Sequence, residues 1–452
     1  MNKNISKSKI FLALISLVIT FFVWQEGLRD SLNRPSVAFD ITQKEKEIAE
    51  LAYPVIPENL KDSFFINDPL DDIKASLAEI SFNQLTERNK LIYIVTSDFK
   101  EIEIESEFIN SLKNKNYKLL IEELKENSSD NSYKLDNDFL DLFKEDRFLY
   151  HLLSKRFHLD ESDLITNALS KRMFFKFISI RLIPFLTIVF GSILVLKTLW
   201  NLIVTREIKW KDFKPLDLNL LDMVLLISGG FVVLGEVVSP LVSLTLVQIF
   251  SNNLPAELTQ SLKIFFGYLF MAIPPLLILY FQIKASDGRF ILKKDYFQFN
   301  ISPIKDAINQ GFKGWLMIIP FVLLVSLIMN LLIDNQNGSN PLLEIVLNTN
   351  NYFSFILLFL TTTLLAPFFE EIIFRGVLLP ILSREFGVIL GIAISAFIFA
   401  LAHLSIAEMP PLFVLGVGLG ITRLISGKLL SSVVMHSLWN GLTFLNLFLL
   451  RT

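Results

Sequence analysis

From residue 173 onward the chain passes through eight apolar stretches, at about 177–204, 219–250, 262–283, 314–333, 352–382, 386–404, 410–426 and 429–450. Several run uncharged for roughly 18 residues or more, the length that crosses a bilayer as a helix. In hydrocarbon every backbone N–H and C=O must be paired within its own segment, so such stretches fold as helices. A further apolar stretch, Ile10 to Trp24, follows Lys3, Lys7 and Lys9 near the N-terminus. The sequence therefore predicts an all-α, polytopic membrane bundle of about nine spans.

Composition narrows the function. Charged residues make up 19% of the chain, below the roughly 25% usual for soluble proteins. The net charge of −3 argues against a nucleic-acid partner. With no cysteine, the chain has no disulfide, thiolate metal site or cysteine nucleophile. The charge is unevenly spread: residues 26–172 hold 30 acidic against 20 basic residues.

Three segments precede the last part of the chain. Residues 1–25 resemble a signal sequence without a nearby small-x-small cleavage site, which predicts an uncleaved anchor. Residues 26–172 form an acidic, mainly α-helical soluble domain whose sequence discloses no function; apolar residues recur at helical spacing in 70–92, 107–127 and 137–158. One segment there, Ile102-Glu103-Ile104-Glu105, alternates like a strand, and His151 and His158, set among charges, read as surface histidines. Residues 173–309 supply accessory membrane helices, where the long 219–250 stretch is expected to tilt or to break at Gly229-Gly230.

Basic residues cluster in alternate loops, Arg206, Lys209, Lys211 and Lys214 in one and Lys284, Arg289, Lys293, Lys294 and Lys305 in another. The positive-inside rule then places these loops and the N-terminus in the cytoplasm and the acidic domain outside it. With a chain rich in Asn, Lys and Ile, the expected location is a bacterial inner membrane.

The charged residues inside apolar sequence carry the chemistry. In Ala366-Pro367-Phe368-Phe369-Glu370-Glu371-Ile372-Ile373-Phe374-Arg375-Gly376, two carboxylates and a guanidinium lie deep in the 352–382 stretch. Each costs about 2.5–3.5 kcal/mol at a helix centre, so they must face protein or a wet cavity. Glu371 and Arg375 are four apart with the acid first, the favourable order for an ion pair. Glu370 points about 100° away and stays freer, as a general base requires. Pro367 supplies no amide hydrogen and is expected to free the carbonyl of Thr363.

Two further runs sit nearby. Phe399-Ala400-Leu401-Ala402-His403 places a histidine near the end of one helix, and His436-Ser437-Leu438-Trp439-Asn440 puts a histidine and an asparagine on one face of another. Counted from the turn near Arg384–Gly387, Glu370 and His403 lie at depths of about 21 and 24 Å at 1.5 Å per residue. His436 lies only about 12 Å beyond the turn near Lys428, leaving a gap near 10 Å. Gly387…Gly391 and Gly416…Gly420 are small-residue patterns suited to close helix contact.

These three runs resemble the CPBP family (Abi, CAAX-protease-like) of intramembrane proteases, with its EExxxR, FxxxH and HxxxN/D motifs in order. Glu370, Glu371 and Arg375, then Phe399 and His403, then His436 and Asn440 match them, and the resemblance covers roughly 310–450. It implies a type II CAAX-prenyl-protease-like peptidase acting on a peptide or membrane-protein substrate within the bilayer. Glu370 would activate water, His403 would orient it, His436 and Asn440 would steady the oxyanion, and Glu371 with Arg375 would support them. Many members are labelled metalloproteases, so a divalent ion such as zinc, held by Glu370, His403 and His436, is the alternative to a glutamate-only mechanism. Two other functions fit the residues: a non-catalytic binding or immunity protein that keeps the fold, and a transporter using Glu370, Glu371 and Glu236.

Overall fold

A computed structural model describes residues 6–34, 37–82, 85–97, 109, 112–126, 136–157, 167–206, 210–211, 217–250, 254–287, 303–332 and 340–451. Among these residues the secondary structure is helical throughout, and the chain is a polytopic helical bundle. The alternating segment 102–105 and His158 lie outside the described residues. Two units form: residues 1–37 with 184–448, and residues 38–183 with 449–452.

In the first unit the apolar stretches appear as helices Lys7–Asn33, Leu220–Ile249, Ala256–Ala285, Ile304–Leu332, Tyr352–Phe386 and Met409–Ser426, while Asn167–Thr205 runs across the division between the units. These seven are long and apolar enough to cross a membrane, two fewer than the nine expected. Val388–Leu401 has only 14 residues. Leu429–Leu449 is long enough, but His436, Asn440 and Asn446 dilute its apolar character. Both shortfalls sit on helices that carry motif residues.

The 220–249 segment does not break at Gly229-Gly230. It continues through π-wound turns from Leu225 to Val238, and the two glycines serve contact instead. A Cβ on Gly230 would lie 3.0 Å from the backbone of Pro275, and Gly229 faces the Ser16 side chain at 3.8 Å.

Around the motifs, Phe369, Ile373, Phe374 and Val377 pack with Phe231, Phe399, Leu415, Leu419 and Met435 in one continuous core. Gly387 makes the hairpin between Tyr352–Phe386 and Val388–Leu401 at φ 83°, a region glycine enters without a Cβ penalty. A Cβ on Gly416 would come within 3.0 Å of the Ala396 backbone, so Met409–Ser426 lies close along Val388–Leu401.

The second unit has its own core, in which Ile48, Leu51, Ile73, Leu91, Ile92, Leu149 and Leu153 are buried. A charged cluster crosses it. Arg88 donates to both oxygens of Glu47, at 2.6 and 2.9 Å, and to both oxygens of Asp146, at 2.5 and 3.0 Å. Asp146 also caps helix Arg147–Arg156 by accepting from the Leu149 amide. His151 is not on the surface: it is buried, with Nε2 3.4 Å from Glu50 Oε1, which also accepts from Lys155. A partnered imidazole is tolerated in a core that its charged sequence neighbours do not reveal.

Candidate active site

Three helices deliver the motif side chains. Tyr352–Phe386 is α-wound at Tyr352–Leu360, at Ala366–Glu371 and beyond Leu379, and π-wound at Thr361–Leu365 and Ile372–Leu378. The two carboxylates thus occupy a short α segment between two π segments, an arrangement often found at functional sites.

Glu371 and Arg375 form the expected pair. Arg375 Nη1 donates to Glu371 Oε1 at 2.9 Å, with both side chains fully buried. The guanidinium's Nη2 donates to the Gly416 carbonyl at 3.2 Å, and its carbon stands 4.2 Å from the centre of the Phe399 ring. A desolvated cation–π contact of this kind contributes about 2 kcal/mol. Phe399 therefore acts as a hub. Its ring meets His403 edge-on at 4.7 Å and His436 at 5.6 Å.

His436 Nδ1 lies 3.0 Å from Glu371 Oε1. A carboxylate oxygen accepts, so Nδ1 carries the hydrogen, and Nε2 turns toward Glu370 Oε2 at 3.8 Å. Glu371 is thus held from two sides. Glu370 Oε2 is buried and makes no hydrogen bond. His403 lies just past the end of Val388–Leu401, and its Nδ1 donates to the Phe399 carbonyl at 2.8 Å, which leaves Nε2 as an acceptor.

Asn440 Nδ2 donates to the carbonyl of Thr362 at 2.9 Å, not of Thr363 as an α-helical count predicts. In a π turn each carbonyl reaches the amide five residues on. The carbonyl that Pro367 leaves unpaired is therefore shifted by one residue, and the Asn440 amide fills the place. The depth gap near 10 Å also closes, since His436 reaches both carboxylates. Part of the reason is that π turns hold more residues per turn and so rise less per residue.

Glu370, His403, His436 and Asn440 all line one cavity of about 310 Å³. Its remaining wall is mostly apolar, with Leu342, Val346, Leu415 and Phe444 among the lining residues. A water molecule occupies about 30 Å³ in the liquid, so solvent and a substrate side chain fit together. Tyr268 and Glu408 also line this space; sequence reasoning missed both. Tyr268 comes from Ala256–Ala285, outside the resemblance, with no spacing signal. Glu408 stands directly before Met409-Pro410-Pro411, and an acid at a helix start reads as a capping preference.

Residues 352–442 match a family model described as type II CAAX prenyl endopeptidase Rce1-like. This segment belongs to the CPBP family. The CPBP segment holds all seven motif residues, whereas Tyr268 lies outside it. Residues 38–175 match a second model, Domain of unknown function (DUF8675). Comparisons with curated proteins and with solved structures found no match.

Glu370, His403 and His436 are the side chains of the CPBP segment that a metal ion would need. Among the described residues no three His, Asp or Glu side chains converge as a bound ion requires. Glu370 Oε2 and His436 Nε2 lie 3.8 Å apart, but His403 does not close the set. The donor geometry does not fit a three-ligand zinc site.

Proposed function

We propose that the chain is an intramembrane endopeptidase in which Glu370 activates a water to hydrolyse a peptide bond of a membrane-associated or C-terminal peptide substrate. One observation carries this reading. Of two adjacent buried carboxylates, Glu371 is tied down through Oε1 by both Arg375 and His436, while Glu370 lines a cavity large enough for water and its Oε2 makes no hydrogen bond. Tying down one carboxylate keeps the other available as a base, a division of roles that adjacent acids use elsewhere.

The reaction follows from these positions. A water in the cavity gives its proton to the Glu370 carboxylate and is aligned by the acceptor Nε2 of His403. The resulting hydroxide attacks the scissile carbonyl. The oxyanion is met by the second amide hydrogen of Asn440, and by His436 Nε2 when that ring carries both hydrogens. Protonated Glu370 then passes its proton to the departing amine, which restores the carboxylate. The Arg375–Glu371 pair supports this sequence by fixing His436.

A non-catalytic binding role would leave the cavity-lining carboxylate of Glu370 without a use. A transporter reading would need Glu236 on a shared path, yet Glu236 lies against Trp24 and does not line the cavity of Glu370. The deciding experiment compares membrane proteomes and peptide cleavage for the wild-type chain and Glu370→Gln. Loss of cleavage with unchanged insertion and folding supports the peptidase; equal cleavage by both ends the proposal.

A further inference from the structure

His403 lies in the turn 402–408, which joins Val388–Leu401 to Met409–Ser426. Leu404, the next residue, has φ 49°. A bulky residue stays in that left-handed region only when its surroundings over-determine it. Here those surroundings come from the far end of the sequence.

The last two turns of helix Lys7–Asn33, together with Arg34, grip this turn. Arg34 Nη2 donates to the Leu404 carbonyl at 2.8 Å and to the Gly27 carbonyl at 3.3 Å. The Ile406 amide donates to the Oγ of fully buried Ser31 at 3.0 Å. Leu404 packs against Gly27 so closely that a Cβ there would lie 2.8 Å from its side chain. The helix itself is anchored along its length: Lys9 pairs with Asp222, and Thr20 donates to the Ser228 carbonyl at 3.3 Å. This helix lies far outside the matched segment 352–442.

We propose that Ser31 and Arg34 are positioning residues that hold the 402–408 turn so that His403 Nε2 faces the cavity. The N-terminal helix is then a working part of the site rather than a membrane tether. Only the activity arm of the test rests on the peptidase reading.

The experiment uses the full chain in lipid nanodiscs as wild type, Arg34→Gln, Arg34→Lys and Ser31→Ala. Three readouts are taken: amide hydrogen exchange over 402–408, carbethoxylation of His403 by mass spectrometry, and kcat and KM for a cleaved peptide. Losing a bond from a charged donor should speed exchange in the turn about tenfold or more in Arg34→Gln. Carbethoxylation of His403 should change alongside it, while peptides from 366–382 keep wild-type protection. Arg34→Lys should recover only part of the effect, since an ammonium does not reproduce a planar fork reaching two carbonyls. The kcat should fall with KM unchanged.

Wild-type exchange and His403 reactivity in both Arg34→Gln and Ser31→Ala would overturn the proposal. Should Arg34→Gln unfold, exchange would rise at 366–382 as well, and Ser31→Ala, which removes one hydroxyl and no charge, then decides. A wild-type chain that cleaves nothing would defeat the peptidase reading, while the exchange and modification data would still settle the clamp.

Discussion

The bond between His436 Nδ1 and Glu371 Oε1, at 3.0 Å, fixes the orientation of the imidazole and turns Nε2 toward Glu370. One carboxylate thereby aims the ring at its neighbour. The different duties of Glu370 and Glu371 arise from this contact and from Arg375.

Glu370→Gln keeps the shape of the side chain and removes its ability to take a proton. Cleavage should fall by about 10²–10⁴-fold, the usual contribution of a general base. Thermal unfolding in detergent should stay at the wild-type temperature, because Glu370 Oε2 bonds to nothing that would be lost.

Arg375→Met should behave in the opposite way. It strands Glu371 as a buried charge, and removing one member of a buried pair costs about 3–5 kcal/mol. The double variant Glu371→Gln with Arg375→Met should be less destabilised than Arg375→Met alone. A denaturation series on the three proteins checks this order.

Asn440→Ala should reduce kcat by about 10²–10³-fold, the cost of losing one oxyanion donor. It also orphans the Thr362 carbonyl, so a small loss of stability should accompany the kinetic effect. Asn440→Leu keeps a similar size without a donor, and should be as slow as the alanine variant in the same assay.

In the second unit, burial pushes the Asp146 carboxyl up, but its bonds to Arg88 outweigh this and hold it below the usual aspartate value. A depressed folded value means this contribution is complete above the unfolded pKa of about 4 and disappears as pH falls through the folded value. Protection against hydrogen exchange over 147–156, taken relative to the intrinsic rate at each pH, should therefore fall as the full chain is acidified below about pH 4. Asp146→Asn should already show raised exchange at neutral pH and lose part of this acid dependence.

Chelation tests the ligand geometry. Since Glu370, His403 and His436 do not gather around one point, treatment with a divalent-metal chelator should leave peptide cleavage unchanged. Elemental analysis of the active, purified protein should likewise find no stoichiometric metal.

The sequence made the helical membrane class legible because apolar length is a property of single segments. The Glu371–Arg375 pair was equally legible, since four residues of spacing place both on one face. The carbonyl freed by Pro367 was expected one residue off, at Thr363 rather than Thr362, because π winding depends on how a helix packs and leaves no composition mark. His151 was misread since Glu50, which shares its buried environment, is about a hundred positions away. For the same reason the hold of Ser31 and Arg34 on the turn after His403 was out of reach: no local pattern joins residues 31 and 34 to 404 and 406.

Glu370 and Glu371 sit between two stretches of wider winding, at 361–365 and 372–378. Each such stretch behaves as if it carries a surplus residue. Removing one residue from either would let that stretch relax to ordinary pitch while the chain beyond it keeps its orientation. Deleting one from a normally wound stretch would instead rotate everything downstream by about 100°. The spacing of the acids against the imidazoles can thus be reset by single-codon length changes at two particular places, a route to altered specificity that point substitution does not offer.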